Sequence, residues 1–141
     1  MKRVLFIASE CVPFIKTGGL ADVVGSLPKC FDKKYFDVRV ILPKYMCMKE
    51  EFKSKLEYIT HFYMDLGWRS QYVGVLGMNY DGIQYYFIDN EFYFAGPKPY
   101  GNIYEDIEKF AFFSKAALSI LPDINFRPDI IHCHDWQTGL I

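Results

Sequence analysis

The sequence predicts an α/β fold, in which a parallel sheet has helices on both faces and carries an inserted antiparallel hairpin. Three observations lead to this fold class. Short continuous apolar runs are typical of strands buried on both faces of a parallel sheet. A stretch of helical periodicity separates the first two runs, and a tight-turn dipeptide divides a β-rich middle region. The 141 residues fit one domain with a moderate hydrophobic core.

The first element is the apolar run from Val4 to Ala8, which predicts a buried strand. After a loop that contains Gly18-Gly19, hydrophobic residues recur at helical spacing, and Pro28 kinks or ends this helix. The helical positions are Leu20, Val23, Val24, Leu27 and Phe31. The stretch from Asp37 to Pro43 predicts the second strand. Strand, loop, helix and strand form a right-handed βαβ unit, so the domain begins in a Rossmann-like way.

The middle region predicts antiparallel strands. Two β-rich stretches between Tyr58 and Asp89 flank Asp81-Gly82, a dipeptide that supplies the positive φ angles of a tight hairpin turn. The following stretch, 91–102, contains two glycines and two prolines. Such a density of breakers predicts a long surface loop, and long loops tend to carry function.

An amphipathic helix and a last strand complete the predicted order. One helix face is marked by Ile107, Phe110, Ala111, Ser114, Ala117, Leu118 and Leu121. Pro128 to Cys133 has the pattern of another buried strand and leads into the polar cluster His134 to Gln137. We therefore expect a second functional loop at the carboxyl end of a strand.

Composition excludes several classes of protein. Lys and Arg number 16 against 17 Asp and Glu, so neither disorder nor binding to nucleic acid is indicated. No apolar run approaches the roughly 20 residues that span a bilayer, and no signal peptide precedes the first strand, which predicts a cytoplasmic protein without a membrane partner. The 4 cysteines are scattered singly, which suits reduced and mostly buried thiols.

Aromatic residues make up 18% of the chain, and many lie between Tyr58 and Phe113. Because sugar rings stack on aromatic faces, this region is a candidate carbohydrate-facing surface. Core packing and strand preference explain most of these residues equally well when each is taken alone.

The segment from Lys16 to Asp22 lies between the first strand and the first helix, where free backbone N–H groups and the helix dipole favour an anion. Two glycines permit close approach, and Lys16 adds a positive charge, so the segment suits a diphosphate. Its spacing is neither GxGxxG nor GxxxxGK[ST], and a turn that merely reverses the chain explains it as well. Asp22 is either a helix cap or a ligand-orienting carboxylate.

His132 and His134 lie on one side of an extended strand, and Asp135 follows them, which raises the possibility of a metal site. We expect no metal, because no fourth ligand completes the set. Hydrogen bonds from these side chains to loop backbone or to ligand hydroxyls are the favoured interpretation. No Ser or Cys lies in an elbow motif such as GxSxG, so a nucleophilic triad is not supported.

The string Lys16-Thr17-Gly18-Gly19-Leu20-Ala21-Asp22 resembles the signature of bacterial glycogen synthases and plant starch synthases. The resemblance covers essentially the whole chain. It extends to Ser9-Glu10, Pro13, Leu27-Pro28, Val38 to Pro43, Pro99-Tyr100, Pro128-Asp129, His132, His134-Asp135-Trp136 and Gly139-Leu140. Departures from the family pattern occur at Gln137, Ile107 and Lys109, on the acceptor side.

The resemblance implies a two-domain GT-B glycosyltransferase of family 5. Such an enzyme transfers glucose from ADP-glucose to the non-reducing end of an α-1,4-glucan such as glycogen, with retention of configuration and without metal or cofactor. Residues 1–141 would be part of the N-terminal domain. A C-terminal nucleotide-binding domain would lie outside this chain, which alone is expected to be inactive.

The same resemblance assigns roles to individual residues. Lys16 would contact the donor phosphates, while Gly18 and Gly19 would let the loop backbone approach the donor. Asp22 and Asp135 would be the catalytic-site carboxylates, with Asp135 facing the glucosyl and acceptor side. Tyr100 would contact the glucan acceptor. Two alternatives stay open: a non-catalytic glucan- or nucleotide-binding module, and a related GT-B transferase that uses another sugar nucleotide.

Overall fold

Six strands form one sheet in the computed structural model, which describes residues 1–141. They are β1 (Lys2–Ile7), β2 (Phe36–Pro43), β3 (Glu57–Leu66), β4 (Arg69–Tyr80), β5 (Ile83–Asp89) and β6 (Ile130–Cys133). Their order across the sheet is β3-β4-β5-β2-β1-β6. Strands β5, β2, β1 and β6 are parallel, whereas β3 and β4 pair antiparallel. The predicted α/β fold, with its Rossmann-like opening and inserted hairpin, is confirmed.

Four α-helices connect the strands: α1 (Gly19–Ser26), α2 (Glu50–Lys53), α3 (Glu91–Phe94) and α4 (Ile103–Ser119). Pro28 lies in a 3-10 turn directly after α1, so the helix ends where the sequence predicts. Val23 is exposed although it falls at helical spacing, because the two-turn α1 buries only Ala21, Val24 and Gly25. None of the helices has both the length and the apolar content that crossing a membrane requires.

Asp81 and Gly82 form the tight turn between β4 and β5, as predicted. Their φ angles are 50° and 79°, and Tyr80 pairs with Ile83 across the turn. Positive φ at both central residues is the signature of a type I′ hairpin. Strands β3 and β4, predicted as one β-rich stretch, are two strands joined at Gly67 (φ 61°) and Trp68. The β-rich middle region is therefore a three-stranded meander.

Hydrophobic cores lie on both faces of the sheet, because successive side chains of a strand point to opposite faces. Leu5 and Ile7 pack under α4, whereas Val4 and Phe6 belong to the core on the face covered by α1. Phe14 lies in the second core and meets four aromatic rings edge-on: Phe52, Tyr80, Tyr85 and Phe87. Much of the aromatic content is thus core packing.

The buried face of α4 differs from the face predicted. Ile107 and Leu118 are exposed, while Phe112 and Phe113 are fully buried. The reason is a second helix: Phe112 stacks on Tyr93 of α3 at a ring-centroid distance of 4.7 Å, so α4 is covered on two sides. A single-stripe pattern cannot reveal this second contact.

Strand β6 was expected to be buried, but its four residues are exposed. It is the edge strand and pairs with β1 alone. The apolar residues Ile130 and Ile131 are 53% and 37% exposed. The apolar run correctly predicts a strand next to β1 and incorrectly predicts its burial.

Candidate functional site

The loops that carry the predicted site residues meet at one edge of the sheet. Strands β1 and β6 are parallel neighbours, and Ile7 at the end of one pairs with Cys133 at the end of the other. Ser9-Glu10 and His134-Asp135 therefore leave the sheet side by side. Open α/β sheets bind ligands outside the carboxyl ends of their parallel strands.

The buried side chain of Glu10 forms hydrogen bonds to the loop of residues 16–22, the glycine loop. Its side chain is only 2% exposed and accepts hydrogen bonds from the N–H groups of Thr17 (3.1 Å), Gly18 (3.2 Å) and Ala21 (3.3 Å), as well as from the Thr17 hydroxyl. A carboxylate at this position also stabilises the N-terminus of α1 through the helix dipole. The Glu10 carboxylate thus already binds the amides of Thr17, Gly18 and Ala21, which the sequence predicted to be free for a ligand.

In the first turn of α1, the amides of Gly19 and Leu20 are among those without a hydrogen-bond partner in the protein. The first amides of a helix have no intrahelical acceptor, so they bond to caps, water or ligands. Neither glycine of the loop is required by its backbone conformation or by packing. A Cβ atom added at Gly19 meets nothing within 4 Å, and one added at Gly18 meets only Glu10 Oε1 at 3.9 Å. The space above the loop is open.

Lys16 and Asp22 form an ion pair across the same loop. The Lys16 Nζ atom lies 2.7 Å from Asp22 Oδ2 and 2.9 Å from Oδ1, and both side chains are about half exposed. Asp22 therefore pairs with Lys16 and makes no cap hydrogen bond to α1. An exposed pair of this kind is worth about 0–1 kcal/mol, so a ligand can draw Lys16 away from Asp22 at small cost.

Tyr100 is brought to the glycine loop by a hydrogen bond between its hydroxyl and that of Ser9, 2.6 Å apart. Burial, reinforced by the negative charge of Glu10, raises the pKa of Tyr100 to about 12. The Tyr100 hydroxyl is consequently neutral at physiological pH and can act as both donor and acceptor.

Helix α4 fixes the loop on which Tyr100 lies. The Lys109 ammonium donates to the Pro99 carbonyl at 3.0 Å, and the Gly101 amide donates to Asp106 Oδ2 at 3.0 Å. Lys109 and Asp106 also pair with each other at 3.4 Å, with both side chains largely buried. Lys109 and Asp106, a buried ion pair of residues one helical turn apart, thus hold the loop that carries Tyr100.

These loops enclose a cleft of about 410 Å³. Its lining residues are Ile15, Lys16, Thr17, Cys47, Pro97, Lys98, Pro99 and Tyr100. The structure therefore brings Lys16 and Tyr100 to one cavity, with Gly18, Gly19 and Asp22 beside it. Lys98 is a second cation of the cleft that the sequence analysis missed, because a lysine in a loop has no spacing signal.

Asp135 lies at the same edge, directly after β6, in a strained conformation. Its φ of 59° and ψ of −175° fall in a region that is essentially restricted to glycine. Its carboxylate is exposed and has no hydrogen-bond or ion-pair partner in the protein. Thr138 holds the turn by donating from its hydroxyl to the carbonyls of His134 (2.9 Å) and Asp135 (3.2 Å).

Aromatic packing on α4 joins the Asp135 loop to the Tyr100 loop. Phe110 contacts Tyr100 at a ring-centroid distance of 5.9 Å and Trp136 at 5.6 Å. No hydrogen bond or ion pair links Asp135 directly to Lys16 or Tyr100. Its role in the site stays a prediction.

The two histidines of β6 and its loop stack on each other, with ring centroids 4.3 Å apart. Burial, and then the neighbouring His132, lower the pKa of His134. The structure gathers no group of three His, Cys, Asp or Glu side chains suited to hold a metal ion.

Fold and site together define an α/β domain of the Rossmann-like class with a polar ligand cleft at the carboxyl edge of its sheet. The chain belongs to the starch synthase catalytic domain family, whose family model matches residues 3–141.

Relatives with known names agree with this assignment. The chain is 72% identical over 141 residues to a glycogen synthase of Lachnoclostridium phytofermentans and 71% identical to one of Lachnospira eligens. The catalytic domain of starch synthase IV from Arabidopsis thaliana, bound to ADP and acarbose, superposes on 98% of the chain with a TM-score of 0.86 and 34% identity. The chain spans 30% of the length of the two glycogen synthases and 29% of the plant structure.

Proposed function

We propose that this chain supplies the first part of a glycogen (starch) synthase. The whole enzyme would transfer glucose from ADP-glucose to the non-reducing end of an α-1,4-glucan, with retention of configuration. Family membership and the 72% identity to a glycogen synthase support the class of reaction. The observation that carries the proposal is the convergence of the glycine loop and Tyr100 on one cleft at the carboxyl edge of the sheet.

The donor's diphosphate would lie over Gly18 and Gly19. The amides of Gly19 and Leu20, for which the protein supplies no acceptor, would donate hydrogen bonds to it, and the open space above the loop permits the approach. Lys16 would leave Asp22 and bind a phosphate oxygen instead. The N-terminus of α1 would also stabilise the negative charge of that phosphate. Lys98, which also lines the cleft, would add a second positive charge.

The acceptor side of the cleft would be formed by Tyr100 and Asp135. In the transfer, the bond between glucosyl C1 and the β-phosphate oxygen breaks, and a bond forms between C1 and the 4-hydroxyl oxygen of the glucan end. ADP would leave with the electron pair of the broken C1–O bond, and its β-phosphate oxygen would take up the proton that the acceptor hydroxyl loses. The unpaired Asp135 carboxylate would face the glucosyl ring, where it can stabilise positive charge that develops on the sugar.

The leaving ADP requires basic groups in addition to Lys16 and Lys98. By the family resemblance, those groups belong to the second domain of the whole enzyme. Catalysis depends on interactions that strengthen in the transition state, so a chain without them is expected to be inactive.

The test is transfer of labelled glucose to glycogen, with ADP-glucose and UDP-glucose in parallel. It compares the 141-residue chain with the product of the complete reading frame. We expect transfer from ADP-glucose by the complete product alone, reduced about a hundredfold by Lys16→Ala and unchanged by the exposed control Lys2→Ala. Transfer from UDP-glucose in preference would contradict the donor assignment. Absence of transfer from either donor would favour a non-catalytic glucan- or nucleotide-binding module.

A further inference from the structure

The loop between α3 and α4, residues 95–101, forms one wall of the cleft although it contains no helix or strand. Its residues Pro97 to Tyr100 line the cleft. No backbone–backbone hydrogen bond involves residues 95–101. The hydrogen bonds of the loop backbone come instead from two side chains of α4, those of Asp106 and Lys109. The shape of this wall therefore depends on α4.

Asp106 and Lys109 each bind both one another and the loop. Asp106 Oδ1 lies 3.4 Å from Lys109 Nζ, while Asp106 Oδ2 accepts a hydrogen bond from the Gly101 amide at 3.0 Å. Lys109 Nζ donates to the Pro99 carbonyl at 3.0 Å. The two side chains are only 5% and 12% exposed, so water competes little for these contacts. The loop backbone is thus held on both sides of Tyr100.

A buried ion pair by itself stabilises a fold little, because the cost of removing two charges from water offsets most of their attraction. Apolar side chains of similar volume would pack in the same place at least as well. Apolar side chains, however, offer no donor to the Pro99 carbonyl and no acceptor to the Gly101 amide. The contribution specific to this pair is therefore the position of the loop.

Tyr100 is the residue whose position this arrangement determines most directly. Its backbone lies between the two bonded residues Pro99 and Gly101, and its hydroxyl is bonded to that of Ser9. Lys98, the second cation of the cleft, precedes Pro99 on the same wall. Both cleft side chains therefore move if the ion pair releases the loop. A displacement of about 1 Å at a reacting site can cost about a hundredfold in rate.

We propose that Asp106 and Lys109 are positioning residues, which hold Tyr100 and Lys98 at the cleft and thereby determine the efficiency of glucosyl transfer. Neither Asp106 nor Lys109 lines the cleft, so the pair acts through the loop and not on the substrate. This role rests on the proposed function, because Tyr100 and Lys98 matter for transfer only if the cleft takes the glucan end and the donor's diphosphate.

The test uses the product of the complete reading frame and a charge-free variant, Asp106→Asn/Lys109→Met. Removing both charges together avoids leaving one buried charge uncompensated, which would destabilise the helix on its own. The asparagine amide keeps an acceptor for the Gly101 N–H, whereas a methionine cannot donate to the Pro99 carbonyl. The charge-free variant therefore releases the loop at Pro99 while the helix stays packed.

Two single variants complete the set. Lys109→Arg is the conservative change, since a guanidinium can donate both to a carboxylate and to a carbonyl. Lys115→Met is the control, because Lys115 lies further along α4 and donates to the Asp65 carbonyl, away from the cleft.

We expect the charge-free variant to lower kcat/KM for glycogen at least about tenfold, with an unfolding midpoint close to that of the wild type. Lys109→Arg should retain most of the wild-type activity, and Lys115→Met all of it. When Tyr100→Ala is already present, the charge-free change should lower kcat/KM by a smaller factor, because the pair acts in part through Tyr100.

Cys47 lines the cleft together with this loop, so its reactivity reports the position of the loop without any need for transfer. Alkylation by iodoacetamide, followed by mass spectrometry of the peptide that contains Cys47, should be faster in the charge-free variant and unchanged in Lys115→Met. Faster alkylation together with weaker ADP binding, in a protein without transferase activity, would support the positioning role and contradict the proposed function.

Two results would overturn the positioning role. One is an unchanged kcat/KM in a folded charge-free variant, even if Cys47 reacts faster. The other is a loss of transfer that accompanies a lowered unfolding midpoint while the reactivity of Cys47 in the folded protein stays the same, because the pair would then stabilise the fold and not position the loop.

Discussion

The hydroxyl groups of Ser9 and Tyr100 lie 2.6 Å apart, although 91 positions separate the two residues in the chain. Ser9 follows β1, and Tyr100 lies on the loop before α4, so this hydrogen bond joins the two segments that enclose the cleft. Ser9 is fully buried, and its carbonyl also accepts from the Tyr45 hydroxyl at 2.7 Å. Through Ser9, hydrogen bonds therefore connect Tyr100 in the cleft to Tyr45 in the hydrophobic core.

We predict that Ser9 and Tyr100 are energetically coupled. Ser9→Ala and Tyr100→Phe should each lower the free energy of unfolding by about 1 kcal/mol, the net value of one hydrogen bond, and the double variant by less than the sum. Urea denaturation of the four proteins measures the cycle. Strict additivity of the two single changes would contradict the hydrogen bond.

Glu10 should be the residue of the glycine loop that matters most for stability. Glu10→Ala removes a buried carboxylate and leaves the amides of Thr17, Gly18 and Ala21 unpaired, so we expect a loss of about 3 kcal/mol in the free energy of unfolding. Glu10→Gln keeps one acceptor oxygen and should lose less. The matched control is Glu51→Gln, at an exposed position on α2. If Glu10→Ala lowered the free energy of unfolding no more than this control, the Glu10 carboxylate would not be what stabilises the loop.

Replacement of Asp135 by glycine should raise stability relative to alanine, whereas either replacement should abolish activity. Relief of its backbone strain is worth about 1–3 kcal/mol and exceeds the entropic cost of a glycine, about 0.5–1 kcal/mol. Asp135→Gly should therefore unfold at a higher denaturant concentration than Asp135→Ala, while both lose glucosyl transfer in the complete enzyme. Equal stabilities of the two variants would show that the strain is absent.

The cysteines should differ sharply in reactivity. All 4 are unpaired, but only Cys11 is buried, whereas Cys30 and Cys133 are exposed, contrary to the expectation of mostly buried thiols. Burial raises the pKa of Cys11 from 9.0 to about 12. A disulfide reagent at pH 8 should modify Cys30 rapidly, Cys133 more slowly because desolvation raises the pKa of its thiol, and Cys11 only after unfolding. Rapid loss of the Cys11 thiol in the folded protein would contradict its burial.

The same pKa shift predicts a dependence of stability on pH. Because the folded-state pKa of Cys11 lies above the ordinary value of 9.0, its contribution to stability is complete below pH 9 and is lost as the pH rises towards 12. Cys11→Ala should reduce the slope of unfolding free energy against pH in that window. If the slope were unchanged in Cys11→Ala, the loss of stability at alkaline pH would come from other groups.

Local signals in the sequence predict some of these features and not others. Asp81-Gly82 determines its own turn through the φ angles it favours, and the string from Lys16 to Asp22 identifies the loop after β1. Glu10 gives no such signal, because its partners become apparent only when the chain reverses over it. The coupling of Ser9 to Tyr100 depends on tertiary packing alone, as does the second buried side of α4. The positions of the loops are therefore predictable from local sequence, whereas the hydrogen bonds and packing that hold the loops depend on tertiary structure.

Gly19 lies beneath the open space in which the donor's diphosphate is proposed to bind. In the complete enzyme, Gly19→Ala adds a methyl group that meets nothing within 4 Å and favours the helix by about 0.5–1 kcal/mol. We predict an equal or higher unfolding midpoint together with ADP binding weakened at least about tenfold. ADP affinity equal to that of the wild type would contradict a diphosphate site above Gly18 and Gly19, and with it the proposed binding of the sugar nucleotide at this cleft.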